Sequence, residues 1–220
     1  MQALNQSEAA IFLNEASSSR FYPVYYTAIS TGLRQAELCG LRWRDLDLDL
    51  CWLSVNEVLY KRRGVQEVKP PKTSYSRRQV RMTDNLAKFL KEYKSVQEML
   101  YWRVNDWQIN KPLPLDYFVL GFLDKPCDPS MLSHDFAIIA RKAGLKDVRF
   151  HDLRHTFASL ALERGAPAKV VSEALGHASV AFTLQTYAHV LSGMQEKTME
   201  LLNDVLPEGV QKQTDTFLTP

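Results

Sequence analysis

The chain has 220 residues, enough for one large domain or two small ones around a substantial buried core. Its 45% hydrophobic and 24% charged residues are those of an ordinary soluble globular protein. A formal net charge of +2 defines no partner by itself. Three widely spaced cysteines (Cys39, Cys51, Cys127), with no Cys-x-x-Cys pair, argue against a disulfide frame or a zinc site and for reduced thiols in a cytoplasmic protein. Residues 1–20 are polar and amphipathic, unlike a secretory signal, and the uncharged run Phe21 to Leu33 is too short to span a bilayer.

Asn5-Gln6-Ser7-Glu8 reads as a helix start, with Asn5 as cap and Glu8 three residues on; Ala9, Phe12, Leu13 and Ala16 then share a face. Phe21 to Thr31 predicts a second, buried helix that stops at Gly32. Leu33 to Leu41 predicts a short one placing Arg34 and Glu37 a turn apart. From Cys51 the pattern changes to strands: Leu53, Val55 and Val58, a turn at Lys61 to Gly64, Val65 to Val68, and Gln79 to Met82. The expectation is one three-stranded antiparallel sheet, with Lys72 in the loop entering its last strand.

Thr83-Asp84-Asn85 caps a helix running through Trp102 toward Trp107, and Tyr117 to Leu123 predicts a short buried segment. Further helices are expected from Asp128-Pro129-Ser130 to Gly144, from His151 to Arg164 (closed by Gly165), from Pro167 to Leu175 (closed by Gly176) and from Ser179 to Val190. A last amphipathic helix is expected over about Ser192 to Leu206, followed by a loosely ordered tail. The sum is a mainly α protein with a small antiparallel β-sheet. Charge is uneven along it: residues 61–81 hold eight basic side chains against Glu67 alone, and such a patch beside a near-neutral body suits a polyanion.

His151-Asp152-Leu153-Arg154 places an imidazole and a guanidinium three apart at a helix N-terminus, where unpaired N–H groups and the helix dipole favour a bound phosphate. Arg154 can offer two parallel hydrogen bonds to phosphate oxygens, and Arg34 can clamp the same phosphate from the other side. Tyr187 follows Leu175-Gly176-His177 by one helix and is the candidate nucleophile. A phenol ionises near pH 10, so attack requires a positive field and a proton acceptor; His151 is in place to take or share that proton.

In order, Arg34, Lys72, His151, Arg154, His177 and Tyr187 resemble the catalytic signature of the tyrosine recombinase (phage integrase) family, and Thr186-Tyr187-Ala188-His189 resembles its segment around the nucleophile. The resemblance covers about residues 6–190. It implies the catalytic-domain fold of that family over residues 1–190, with residues 191–220 as a helix and tail that dock on a neighbouring protomer. The family's N-terminal DNA-clamping domain is expected to be absent. It further implies site-specific recombination: Tyr187 attacks the scissile phosphate, a 3′-phosphotyrosyl bond forms, and the 5′-hydroxyl leaves with a proton from Lys72.

Glu37 is then expected to orient Arg34, His177 to donate to a phosphate oxygen, and Lys69, Arg77 and Arg78 to contact DNA. The implied partner is double-stranded DNA, bound by a homo-tetramer on paired sites, with the isolated chain as a possible monomer; no membrane, cofactor or metal is implied. Three alternatives stand beside this reading. One is a type IB topoisomerase-like enzyme. Another is a non-enzymatic helix-turn-helix over Leu160 to Ala178. The last is a metallohydrolase using His151 and His155, for which a third ligand is missing.

Overall fold

The computed structural model describes residues 2–62, 64–73, 76–105, 111–192, 199–200 and 205. Helix α1 (Gln6–Ala16) opens on a capping box, in which Asn5 Oδ1 accepts from the Glu8 N–H and the Glu8 carboxylate accepts from the Asn5 N–H, both at 2.9 Å. Helix α2 (Tyr22–Thr31) carries Pro23 in its first turn, where a missing N–H costs nothing. The helix is buried along much of its length, and its hydroxyls are satisfied internally: Thr27 donates to the Pro23 carbonyl at 2.7 Å and Thr31 to the Thr27 carbonyl at 2.6 Å. Gly32 ends it with φ +67°, and α3 (Gln35–Gly40) follows.

The strand region departs from a single sheet. Strands β1 (Leu46–Asp47), β2 (Trp52–Val55) and β5 (Arg78–Arg81) form one antiparallel sheet in the order β1-β2-β5. Strands β3 (Val58–Arg62) and β4 (Val65–Lys69) form a separate hairpin. The division falls at Asn56–Glu57, a corner held by distant partners. Asn56 Nδ2 donates to Asp45 at 2.9 Å, and Glu57 accepts from Arg42 Nε at 2.6 Å and Arg44 Nη2 at 3.1 Å. These bonds turn the hairpin away before β3 can continue the sheet begun by β2. Gln79 to Arg81 therefore pairs with β2 and not with β4.

Helix α4 (Asp84–Val104) starts at the Thr83 cap; the expected continuation toward Trp107 lies outside the described residues. The segment Tyr117 to Leu123 is largely buried and forms no helix or strand, with Phe118, Val119, Leu120 and Leu123 in the core. Helices α5 (Pro129–Lys142), α6 (Asp152–Glu163) and α7 (Ala168–Leu175) match expectation to within a residue or two. The helix expected over Ser179 to Val190 is two pieces, α8 (Val180–Thr186) and α9 (Ala188–Leu191), broken at Tyr187 (φ −112°, ψ 22°). The break turns the Tyr187 ring inward against α6 and α7. The helix expected over Ser192 to Leu206, and the tail, lie almost entirely outside the described residues.

Two cores result. The larger gathers Phe12, Tyr25, Phe136 and Phe150 with the aliphatic residues of α2, α4 and the sheet; Phe12 and Tyr25 meet edge to face at 5.3 Å. The smaller consists of Ala158, Leu162, Val171, Leu175 and Tyr187, joining α6 and α7 to the α8–α9 bend. The cysteines are buried free thiols. Among the described residues no helix is long and apolar enough to cross a membrane.

Candidate active site

The site is built from helix ends, where local sequence fixes backbone geometry. Gly32 must be glycine twice over: its φ is in the left-handed region, and a Cβ there would lie 2.4 Å from Phe157 Cδ1 and 2.8 Å from Leu175 Cδ2. The stop at Gly32 puts Arg34 at the start of α3 in extended conformation, with Glu37 three residues on. The Glu37 carboxylate then accepts from the Arg34 N–H and from Arg34 Nη1, both at 2.8 Å. It also receives Arg78 from β5 in a two-pronged pair, Nη1 to Oε1 at 3.0 Å and Nη2 to Oε2 at 2.9 Å. Glu37 is 3% exposed. Burial by itself would raise its pKa, but the bonds and charge of Arg78, then of Arg34, hold the carboxyl below the ordinary range.

Arg78, expected on a DNA-facing surface, is thus an internal residue. Besides Glu37 it donates from Nε to the Ala174 carbonyl at 2.6 Å, so it ties β5 and α3 to the end of α7. Gly176, with φ +67°, accommodates it, since a Cβ there would sit 3.0 Å from Arg78 Nη1. Arg154 performs a matching role from α6. It is 4% exposed and donates from Nη1 to the Gly32 carbonyl at 2.8 Å and from Nη2 to the Leu175 carbonyl at 2.7 Å. The carbonyls at the ends of α2 and α7 are therefore what hold this guanidinium in place. Its pKa falls to about 9, by burial first and then by the charge of Arg34, with Glu37 opposing; it remains cationic at neutral pH.

The imidazoles respond to the same field. His177 follows the left-handed Gly176; its Nδ1 lies 2.8 Å from Thr183 Oγ1 and its ring meets Phe182 edge to face at 4.9 Å. Burial, then the charges of Arg154, Arg34 and Arg78, lower it to about 4. His155 is lowered to about 4 by burial and then by His151 and Arg154, and His151 is lowered by burial and then by Arg154. At neutral pH these histidines act as neutral hydrogen-bonding groups. Tyr187, 1% exposed, brings its hydroxyl within 2.8 Å of His155 Nδ1. Burial raises the phenol's pKa and Arg154 works against that rise.

The chain has counterparts among known proteins. The sequence model described as the phage integrase family matches residues 3–194. The chain belongs to that family. It is 32% identical over 195 residues to a XerC-like tyrosine recombinase of Caldanaerobacter subterraneus and 30% identical over 186 residues to the ICEBs1 integrase of Bacillus subtilis, in each case over 84% of its own length. Those stretches are 50% and 49% of the relatives, so the chain spans about half the length of the curated relatives it matches. Among solved structures, XerA recombinase is similar with a TM-score of 0.66 at 26% identity, over 90% of this chain and 65% of that one. The Tn1549 transposon integrase, in complex with transposon right end DNA, shares the fold with a TM-score of 0.72 at 23% identity, over 92% of this chain and 66% of that one.

Within this family member, Arg34, Glu37, His151, Arg154, His177 and Tyr187 are one electrostatically connected cluster. Lys72 is not packed into it: it is exposed on the β4–β5 loop, with Nζ 5.6 Å from the centre of the Tyr60 ring. Lys69 pairs with Glu67 at 2.8 Å on the exposed hairpin, and Arg77 is exposed. Two residues at the centre were missed from sequence. His155 was read only as half of a metal pair, although its place four residues after His151 on one helix face already put it beside the same pocket. Its ring meets His151 edge to face at 5.1 Å. Arg78 carries no local signal of its internal role, because its partner Glu37 lies 41 residues earlier.

Proposed function

We propose that this chain is the catalytic domain of a site-specific DNA recombinase that cuts and rejoins double-stranded DNA through a 3′-phosphotyrosyl bond at Tyr187. The observation that supports it most is that Arg34 of α3 and Arg154 of α6, braced by Glu37 and by two helix-end carbonyls respectively, lie near enough for their charges to act on each other, with Arg154 acting also on the Tyr187 hydroxyl. In this reading the arginines hold the non-bridging oxygens of the scissile phosphate, and His177 and His151 add hydrogen bonds. Tyr187 oxygen attacks phosphorus in line, and the 5′ oxygen leaves with a proton from Lys72. The exposed β4–β5 loop then has to fold over the bound DNA to bring Lys72 to the leaving oxygen.

A 5′-hydroxyl from a second duplex reverses the step, and the phosphodiester bond energy stays in the protein–DNA linkage throughout. Rate enhancement rests on positioning and on stabilising the charge that develops on phosphorus oxygens. Residues 1–190 would form the catalytic unit, with Lys69 and Arg77 on its DNA-facing side. Residues beyond 190 would dock on a neighbouring protomer of a tetramer assembled on paired sites. The test is covalent trapping on a nicked duplex whose cleaved 5′ fragment diffuses away, with the adduct mapped by mass spectrometry. The expected attachment is at Tyr187, and Tyr187→Phe should trap nothing while binding DNA as before; trapping by that variant, or an adduct at another residue, would reassign the nucleophile.

A further inference from the structure

The phenol of Tyr187 does not meet the histidine that opens α6. Its oxygen lies 2.8 Å from His155 Nδ1, one turn farther along, with ring centres 5.9 Å apart. Resting on the reading of Tyr187 as nucleophile, we propose that His155 is a catalytic residue of this site: Nδ1 accepts the phenol's proton as the Tyr187 oxygen bonds to phosphorus.

Four features carry the assignment. A general base must lie within hydrogen-bond reach of the proton it removes, and His155 does. His155 is also held neutral, since burial and then the positive surroundings keep its proton affinity low, at about 4. The tautomer with its hydrogen on Nε2 leaves the Nδ1 lone pair for the Tyr187 O–H to donate to. Third, Tyr187 is 1% exposed, so its hydroxyl has no bulk water to take the proton, and Arg154, the other charged group acting on it, is already protonated. Fourth, the imidazolium that forms has a counter-charge waiting. Asp152, three residues before His155 and on the same helix face, is buried with Oδ1 unpartnered among the described residues, and its charge raises the proton affinity of His155.

The step balances as follows. The Tyr187 O–P bond forms and the P–O5′ bond breaks. The phenol's proton moves to His155 Nδ1, giving an imidazolium, while the 5′ oxygen takes a different proton from Lys72. In rejoining, a 5′-hydroxyl attacks, the tyrosine oxygen leaves, and it recovers its proton from His155. No oxidant or reductant is involved, and His155 ends as it began.

The experiment compares wild type, His155→Ala and His155→Asn in single-turnover cleavage of the nicked duplex near neutral pH, with DNA affinity and thermal unfolding measured on each. An asparagine amide takes nearly the place of Nδ1 and keeps a hydrogen bond to the phenol, but it has almost no basicity. Both variants should therefore bind DNA normally and cleave about 100-fold or more slowly. Imidazoles of graded basicity added to His155→Ala should restore cleavage in proportion to their base strength, which a mere filler of the vacated space would not do. Near-normal cleavage by His155→Asn would reduce His155 to an orienting role. Faster cleavage by either variant would make the contact a restraint that hides the nucleophile. Rescue independent of basicity would likewise overturn the proposal. A wild-type protein that forms no adduct at Tyr187 would instead remove the reading on which this one rests, before any variant is compared.

Discussion

Replacing Glu37 by glutamine tests the brace that holds the site together. The four bonds to the carboxylate divide evenly: Oε1 accepts from Arg34 Nη1 and Arg78 Nη1, and Oε2 from the Arg34 N–H and Arg78 Nη2. Whichever oxygen becomes an amino group, two donors are left facing a donor. Arg78, whose side chain is 7% exposed, also loses its counter-charge. Breaking a buried pair in this way costs about 3–5 kcal/mol. That is a large share of the roughly 5–15 kcal/mol that holds a domain folded. For a chain of this size it corresponds to a melting temperature lower by about 6–20 °C. Urea denaturation should show a lower midpoint at unchanged slope. Arg34→Met should cost less than Arg78→Met, because the Arg34 side chain is 38% exposed and partly solvated already. The pH dependence has a definite sign. A carboxyl held below its ordinary range stabilises the fold fully above about pH 4.3, and that contribution is lost as pH falls through the native value. Glu37→Gln should flatten this acid limb. A loss under about 1 kcal/mol, or equal costs for the two arginine variants, would refute the argument that burial of the Arg78 pair governs it.

Arg154→Lys should cleave nearly as slowly as Arg154→Ala, about 100- to 1,000-fold below wild type, because one ammonium cannot span the Gly32 and Leu175 carbonyls and still fork onto a phosphate; a rate near wild type rejects this. Gly32→Ala should destabilise by roughly 1–3 kcal/mol from its backbone conformation alone, and by more from the contact with Phe157, with cleavage falling in parallel as Arg154 loses its carbonyl. His177 is depressed to about 4, so the unfolded chain takes up its proton before the native one does and stability should rise with pH between about 4 and 6.5. His177→Gln should reduce that slope as measured by chemical denaturation, and an unchanged slope would place its contribution elsewhere.

The parts of this fold that were legible in the sequence are those fixed within a few residues. Asn5 with Glu8, Thr83 and Asp128 announced helix starts; Gly32, Gly165 and Gly176 announced helix ends, and each has the positive φ that makes glycine useful there. Arg34, His151, Arg154 and His177 all stand within a few residues of such an end, so their convergence could be anticipated from local signals together with the family order. The division into two sheets could not, because it depends on Asn56 and Glu57 being held by Asp45, Arg42 and Arg44, and strand periodicity carries no record of those partners. For the same reason Arg78 looked like one more cation in a basic run: a guanidinium bound for solvent and one bound for a buried carboxylate are identical in sequence. The kink at Tyr187 was equally hidden, since Ser179 to Val190 has a helical pattern throughout and only the inward ring reveals the break.

Arg78 being internal also changes how the pocket's charge works. Asp152 pairs with the exposed Arg149 at 3.5 Å, so the two add no net charge, and the histidines are neutral, which leaves the formal charges of Arg34, Arg78 and Arg154 against that of Glu37. The excess is about two positive charges, and two of the three guanidiniums, those of Arg78 and Arg154, are buried, where such charges act strongly. In the proposed reaction a bound phosphodiester brings one negative charge, and the five-coordinate state formed by attack of the Tyr187 oxygen carries about two, so the field would be better matched to the transition state than to the ground state. If Arg78 faced solvent, as its sequence context suggested, Glu37 would cancel Arg34 and the excess would fall to that of Arg154 alone. Sharing a single carboxylate between two guanidiniums fixes both of them in space without neutralising the pocket, and it is this asymmetry that makes Glu37→Gln a test of the site as well as of the fold.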